Sequence, residues 1–90
     1  MDGVANCYLC DRPASFPAGA TTHPASVAVD CGECGAYEIT REALDRLLKR
    51  PVAKPGVRFE VFRLRSPKSP RPLVDLLIVE HFSMGFTPLP

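Results

Sequence analysis

The sequence has little histidine, no long apolar run and no leader pattern. With only His23 and His81, and no serine or cysteine elbow, a nucleophile, a general base and an orienting group cannot be assembled, so a protein that is not an enzyme is expected. The longest apolar stretch, Leu76-Leu77-Ile78-Val79, is closed off by Asp75 and Glu80 and falls far short of the roughly 20 residues that a bilayer span requires. No membrane partner is expected. The N-terminus, Met1-Asp2-Gly3-Val4-Ala5-Asn6-Cys7, shows no basic segment followed by an apolar one, which leads us to expect a reducing, cytoplasmic compartment. Length is also scarce. A chain of 90 residues makes one domain, and so small a domain buries too little surface to rely on its core alone.

What the chain does have is four cysteines in two pairs, Cys7-x-x-Cys10 and Cys31-x-x-Cys34. In a reducing compartment such pairs read as metal ligands more readily than as disulfides, although two disulfides or four buried thiols are the alternatives. A two-residue spacer lets one tight turn offer two sulfurs to adjacent corners of a tetrahedron, and two such turns complete the shell that zinc prefers. A complete shell leaves no position for water or substrate, so one structural Zn2+ on Cys7, Cys10, Cys31 and Cys34 is expected. Four thiolates would also hold iron. Dithiol redox catalysis fits less well, because neither pair opens a helix in a βαβ unit. Haem attachment needs a histidine where Asp11 and Gly35 stand. His23, between the pairs, is a weak substitute ligand, and His81 reads as a half-buried helix residue.

Along the chain, 13–26 is rich in turn formers and reads as a loop. Val27 and Val29 before the second pair, with Tyr37 and Ile39 after it, alternate as one face of a short hairpin whose turn is Cys31-Gly32-Glu33-Cys34-Gly35. Gly32 and Gly35 would permit positive φ there. Thr40 then caps a helix over 41–50 that Pro51 stops, with Ala43, Leu44, Leu47 and Leu48 on one face and Glu42–Arg46 and Asp45–Lys49 as i to i+4 pairs. Residues 51–56 read as a connector. Over 57–65 the alternation of Val57, Phe59 and Val61 suits a strand, whereas Val57, Val61 and Leu64 also share a helical face. Residues 66–72 hold three prolines and read as a hinge or linker, 73–82 as a helix ending before Gly85, and 86–90 as an extended apolar tail.

The run Cys31-Gly32-Glu33-Cys34-Gly35-Ala36-Tyr37-Glu38-Ile39-Thr40, followed by a leucine-rich helix, resembles the zinc-ribbon module found at the start of many uncharacterised bacterial proteins. There the pattern is Cys-x-x-Cys-Gly-x-aromatic-x-Ile-Thr or Ser. The resemblance covers about residues 5–50 and departs at the first pair, where Asp11 takes the place of glycine and the linker between pairs is long. It implies an accessory or interaction module and leaves the activity open. The fold expected is therefore a small metal-bound α+β domain, a zinc ribbon with a short hairpin followed by helices. Residues 1–50 would hold the ribbon and first helix, and 51–90 a basic connector and C-terminal helical segment, all within a single domain.

Charge is uneven. Residues 1–40 sum to −4, 41–71 to +7 and 72–90 to −2. Two functions follow as expectations. The first is a non-catalytic adaptor for another protein, docking through the apolar C-terminal helix and tail. The second is a nucleic-acid binder, or a binder of an acidic partner, using Arg46, Lys49, Arg50, Arg58, Arg63 and Arg65. Phe59 and Phe62 are few aromatics for stacking bases, and a solvated basic face is the plainer reading of that stretch.

Overall fold

The computed structural model describes residues 5–17 and 19–83. Gly85 and the apolar tail over 86–90 lie outside the described residues. Five strands form one sheet in the order β1 (Ala5–Asn6), β2 (Pro13–Ser15), β3 (Ser26–Cys31), β4 (Gly35–Thr40) and β5 (Leu73–Val74). The first four are antiparallel neighbours, and β5 runs parallel to β4. A parallel neighbour needs a crossover, which is supplied by α1 (Arg41–Lys49), a 3-10 turn (Pro51–Ala53) and α2 (Lys54–Leu64). After β5, α3 (Leu76–Ser83) packs across both helices. Among the described residues no helix is long and apolar enough to cross a membrane.

The hairpin pairs Val27 with Ile39 and Val29 with Tyr37, which puts all four side chains on one face as their alternation requires. Val29, Tyr37 and Ile39 are buried there with Ala43 and Leu47 of α1, Val57 and Val61 of α2, Val74 of β5 and Val79 of α3. Three of the cysteines, Cys7, Cys31 and Cys34, belong to the same cluster. Thr40 caps α1, its hydroxyl accepting from the Ala43 amide at 3.1 Å.

Several expectations are corrected. Residues 57–64 are helical: Val57 and Val61 are buried one turn apart while Phe59 is 63% exposed, so a strand face shared by all three is excluded. The connector over 51–56 is shorter than expected, because Pro55 sits in the first turn of α2, where its missing N–H costs nothing. Leu48 is 61% exposed rather than inward, and Arg46 pairs with Glu80 of α3 at 2.9 Å instead of with Glu42. The Asp45–Lys49 pair forms at 3.4 Å. Residues 73–82 are not one helix, since Leu73 and Val74 hydrogen-bond as an edge strand before α3 begins. His81 is exposed, its ring edge-on to Phe82.

The proline-rich segment is no free hinge. Ser66 and Ser69 exchange backbone hydrogen bonds, Arg71 pairs with Asp30 at 2.9 Å and donates to the Val29 carbonyl, and Pro72 accepts from the Glu38 amide at 2.9 Å. Nor is 13–26 wholly loop, because β2 lies inside it. The remainder is pinned by Glu38, which points away from the Tyr37 face and is 1% exposed. Its carboxylate accepts from the Thr22 amide at 2.9 Å, the Thr22 hydroxyl at 3.0 Å, the His23 amide at 3.0 Å and the Ser26 hydroxyl. Burial alone would raise the Glu38 pKa, but the donors from Ser26, His23 and Thr22 outweigh it and hold the carboxyl below its ordinary value of 4.5.

Two predictions follow from this packing. A Cβ on Gly56 would fall against the Phe82 ring of α3, 2.6 Å from Cγ and 2.8 Å from Cε1. Gly56→Ala therefore lowers the thermal midpoint despite a helix-propensity gain of about 1 kcal/mol. Gly32→Ala, with nothing within 4 Å of the added carbon, is the matched control and leaves the midpoint in place. Glu38→Gln sets an amide donor against donors and costs roughly 1.5–3 kcal/mol in urea unfolding at pH 7. Because the Glu38 pKa is depressed on folding, its contribution is complete above pH 4.5 and fades as pH falls through the lower folded value. The gap between wild type and Glu38→Gln must narrow in that acid range.

Candidate metal centre

Two tight turns carry the cysteines. The first, Cys7 to Cys10, separates β1 from β2, and the second, Cys31 to Cys34, closes the β3–β4 hairpin. After the second cysteine of each pair the chain reverses through a positive φ, +64° at Asp11 and +83° at Gly35. The turns are thus alike in shape although one ends in aspartate and the other in glycine. Aspartate tolerates the left-handed region better than most residues, and Asp11 is held by Lys54 Nζ at 3.1 Å, at the start of α2. Positive φ at Gly35 matches the sequence expectation. Gly32 does not share it: among the described glycines only Gly19 and Gly35 have positive φ.

All four Sγ atoms lie within 4.8 Å of one another. Across the two turns, Cys10 faces Cys31 at 3.5 Å and Cys7 faces Cys34 at 3.9 Å. Sulfurs about 2.3 Å from a tetrahedral metal stand about 3.8 Å apart, so the cluster has the dimensions of one four-sulfur shell. The four cysteines are free, with no sulfur–sulfur bond among them. They are positioned to bind one metal ion, and the donor set suits zinc and iron alike. His23 lies beside Glu38 on the loop and is no part of the cluster.

The sulfurs are supplied with hydrogen-bond donors. Cys7 Sγ accepts from the Leu9 amide at 3.4 Å and stands 3.2 Å from the Tyr37 hydroxyl. Burial pushes the Tyr37 phenol far up, so it keeps its proton and donates to a Cys7 thiolate. Cys31 Sγ accepts from the amides of Glu33 and Cys34, each at 3.3 Å, and these overcome burial to bring its thiol down to about 7. Cys10 accepts from the Arg12 backbone, yet burial leaves its thiol raised. Cys34 is raised most, by burial, with Arg58 Nε at 3.3 Å opposing the shift. At neutral pH the raised thiols of Cys10 and Cys34 hold protons that a cation would displace, so metal affinity rises with pH.

Four thiolates around a divalent ion carry a net charge of −2, and the nearest compensation comes from α2. Arg58 donates to Cys34 Sγ, while Arg65, at the other end of the helix, donates from Nη2 to the carbonyls of Cys34 at 2.9 Å and Ala36 at 2.6 Å. Arg65 thus bridges the two sides of Gly35, whose missing side chain makes room: a Cβ there would lie 2.8 Å from the guanidinium carbon. Arg65 Nε is buried without a partner among the described residues. Arg58 and Arg65 also flank the Phe62 ring, at 5.2 and 5.9 Å from its centroid.

The other basic residues singled out in the sequence are likewise engaged within the chain. Arg46 meets Glu80, Lys49 meets Asp45, Arg50 donates to the Ser83 carbonyl at 2.7 Å, and Arg63 meets Glu60. The sequence reading missed Tyr37 as a donor to the site and the inward roles of Arg58 and Arg65. Asp11 carried a usable signal, because it occupies the place after the first pair that Gly35 occupies after the second.

Replacing Arg65 with methionine removes two charge-assisted bonds to the second turn and should destabilise the metal-loaded protein by roughly 1.5–3 kcal/mol, with faster loss of metal to a chelator. Gly35→Ala adds left-handed strain of about 1–2 kcal/mol and expels the same guanidinium. If both variants match wild type in thermal midpoint and metal release, the turn does not depend on this clamp. No family model matches the chain, and no curated protein or solved structure matches it.

Proposed function

We propose that the chain is a non-catalytic structural zinc module that serves as a protein-interaction adaptor. The observation that carries the structural role is the closed four-sulfur cluster set into the core, with Cys7, Cys31 and Cys34 buried and every ligand position filled by the chain itself. A metal held in this way joins the two turns and has no open position for a substrate. Zinc is favoured over iron because a site built only to hold the fold gains nothing from a metal that changes oxidation state.

The adaptor role rests on apolar surface. Leu77 on α3 is 77% exposed, and Phe59 and Val52 also face solvent, on a domain that has little area to spare for such residues. Between α2 and α3 a cleft of about 380 Å3 is lined by Leu77, Ile78 and Phe82 with Glu60, Arg63 and His81 around them. The nucleic-acid alternative is weaker, since its six basic residues already have partners inside the chain. What favours it is the exposed Phe62 ring with the positive charges of Arg58 and Arg65 close to it, an aromatic beside cations of the kind that nucleic-acid surfaces use.

Metal analysis should find one zinc per chain, and a strong chelator at pH 7 should abolish cooperative unfolding, because structural zinc contributes on the order of 10–16 kcal/mol. A metal-free sample that keeps native NMR dispersion would refute the structural role. Partner capture should survive a rise from low to about 0.5 M salt, since apolar docking is not screened. Binding of duplex DNA at low salt, with log affinity falling at a slope near −3 against log salt, would instead establish the alternative.

A further inference from the structure

The four sulfurs are not equivalent. Cys7, Cys31 and Cys34 are 1%, 6% and 0% exposed, whereas Cys10 is half-buried and opens onto a cavity of about 430 Å3 between Arg12, Glu33 and Arg58. Cys7 lies behind Tyr37, and Cys34 behind Arg58. Cys31 takes two amide donors, which draw electron density from its sulfur, while the Arg12 backbone is the donor to Cys10. The nearest sulfur to Cys10 belongs to the other turn, Cys31 at 3.5 Å.

We infer that Cys10 is a modification site for small peroxides, and that its oxidation ends in a Cys10–Cys31 disulfide with release of the metal. The inference rests on the metal-binding reading of the cluster. In the first step the Cys10 thiolate attacks one peroxide oxygen and the O–O bond breaks. Cys10 becomes a sulfenic acid, and the leaving hydroxide takes a proton to form water. In the second the Cys31 thiolate attacks the Cys10 sulfur, the S–O bond breaks, and hydroxide leaves with a further proton as water. Two thiolates have then lost two electrons to one hydrogen peroxide. Closing 3.5 Å to a bond of about 2.0 Å needs only a small shift of Cys10, which sits on the turn nearer the sheet edge. Two of the four ligands are consumed at once, so the ion leaves. The cavity wall has Arg12 and Arg58 beside Glu33, and of the four cysteines Cys10 is the one that lines it, so a small neutral or singly charged oxidant entering there meets Cys10.

The test uses the full metal-loaded chain with less than one equivalent of hydrogen peroxide, a chromogenic chelator to follow the metal, and dimedone in a parallel sample to trap sulfenic acid. Chymotryptic cleavage at Tyr8 and glutamyl cleavage at Glu33 isolate Cys7 and Cys34 from a 9–33 peptide, whose fragmentation assigns a label to Cys10 or Cys31 and reveals a bond between them. Dimedone should mark Cys10 about tenfold ahead of any other cysteine, and without dimedone the first disulfide should be Cys10–Cys31, one metal being released per disulfide. First labelling at another cysteine, equal labelling of all four, or a first disulfide within either Cys-x-x-Cys pair overturns the inference. A chain that purifies without metal overturns the metal reading instead. Because the inference rests on that reading it falls with it in that case, whereas a wrong labelling order in a metal-loaded chain overturns the inference alone, so the two failures are told apart.

Discussion

Four sulfur atoms that would carry negative charge are brought within 4.8 Å of one another inside a domain of 90 residues, and that concentration of charge is what the surrounding structure accommodates. Without a cation the four thiolates repel, and burial raises the cost of each. The protein meets part of this cost with its own dipoles and charges: amides at Leu9, Glu33 and Cys34, the Tyr37 hydroxyl and the Arg58 guanidinium. The sheet order β1-β2-β3-β4 follows from the same demand, since it sets the two turns side by side. The helix that follows then has to return across them, because α2 supplies Lys54 to the first turn and Arg58 and Arg65 to the second. The four antiparallel strands without that helix would leave the sulfur cluster with little positive charge nearby.

Strand β4 joins this centre to the rest of the fold by using both of its faces. Tyr37 and Ile39 point to the core, and Tyr37 reaches the sulfur cluster through its hydroxyl. Glu38, one residue away and necessarily on the other face, gathers the loop around Thr22, His23 and Ser26 onto the sheet. The backbone of Glu38 also receives the proline-rich segment through Pro72, so the long linker between the cysteine pairs and the segment before β5 are both tied to one position. A buried carboxylate with four donors is costly to desolvate. Its return is loop order, which hydrophobic burial could not supply to a stretch as polar as 21–26.

The parts of the fold that were legible in the sequence are those governed by local rules. The paired spacing of the cysteines, the alternation through Val27, Val29, Tyr37 and Ile39, and Thr40 ahead of a helical period each state their structure within a few residues. What was not legible depends on distant partners. Residues 57–65 satisfy both periods, and only the burial of Val57 and Val61 beneath Val79, with Phe59 outside, selects the helix. Leu73 and Val74 become a strand because the edge of β4 is open to them, not because of their own pattern. Arg46 prefers Glu80 to Glu42 for the same reason: α3 places a carboxylate where the sequence of α1 gives no sign of one. The clustering of the four cysteines was readable from spacing, but the groups that surround them were not, since Tyr37 and Arg58 are 30 and 24 residues from the sulfurs they touch.

The basic stretch shows how a sum of charges misleads. Residues 41–71 carry +7, yet folding spreads that charge through the molecule rather than gathering it on one surface. Arg58 and Arg65 turn to the sulfur turn and Lys54 to Asp11, Arg50 closes the end of α3, Arg46 and Arg63 meet glutamates, and Arg71 crosses to Asp30. The acidic N-terminal region and the basic middle of the chain are therefore complementary halves of one folded unit. Several of these pairs span more than 30 residues and link the antiparallel strands and their turns to α2 and to the segment before β5. At the surface each contributes little to stability, but together they specify which side of the antiparallel strands the helices cover. That side is the one beneath Cys34, and the consequence is that Cys10, on the far turn and outside the reach of Arg65, is the ligand left facing solvent.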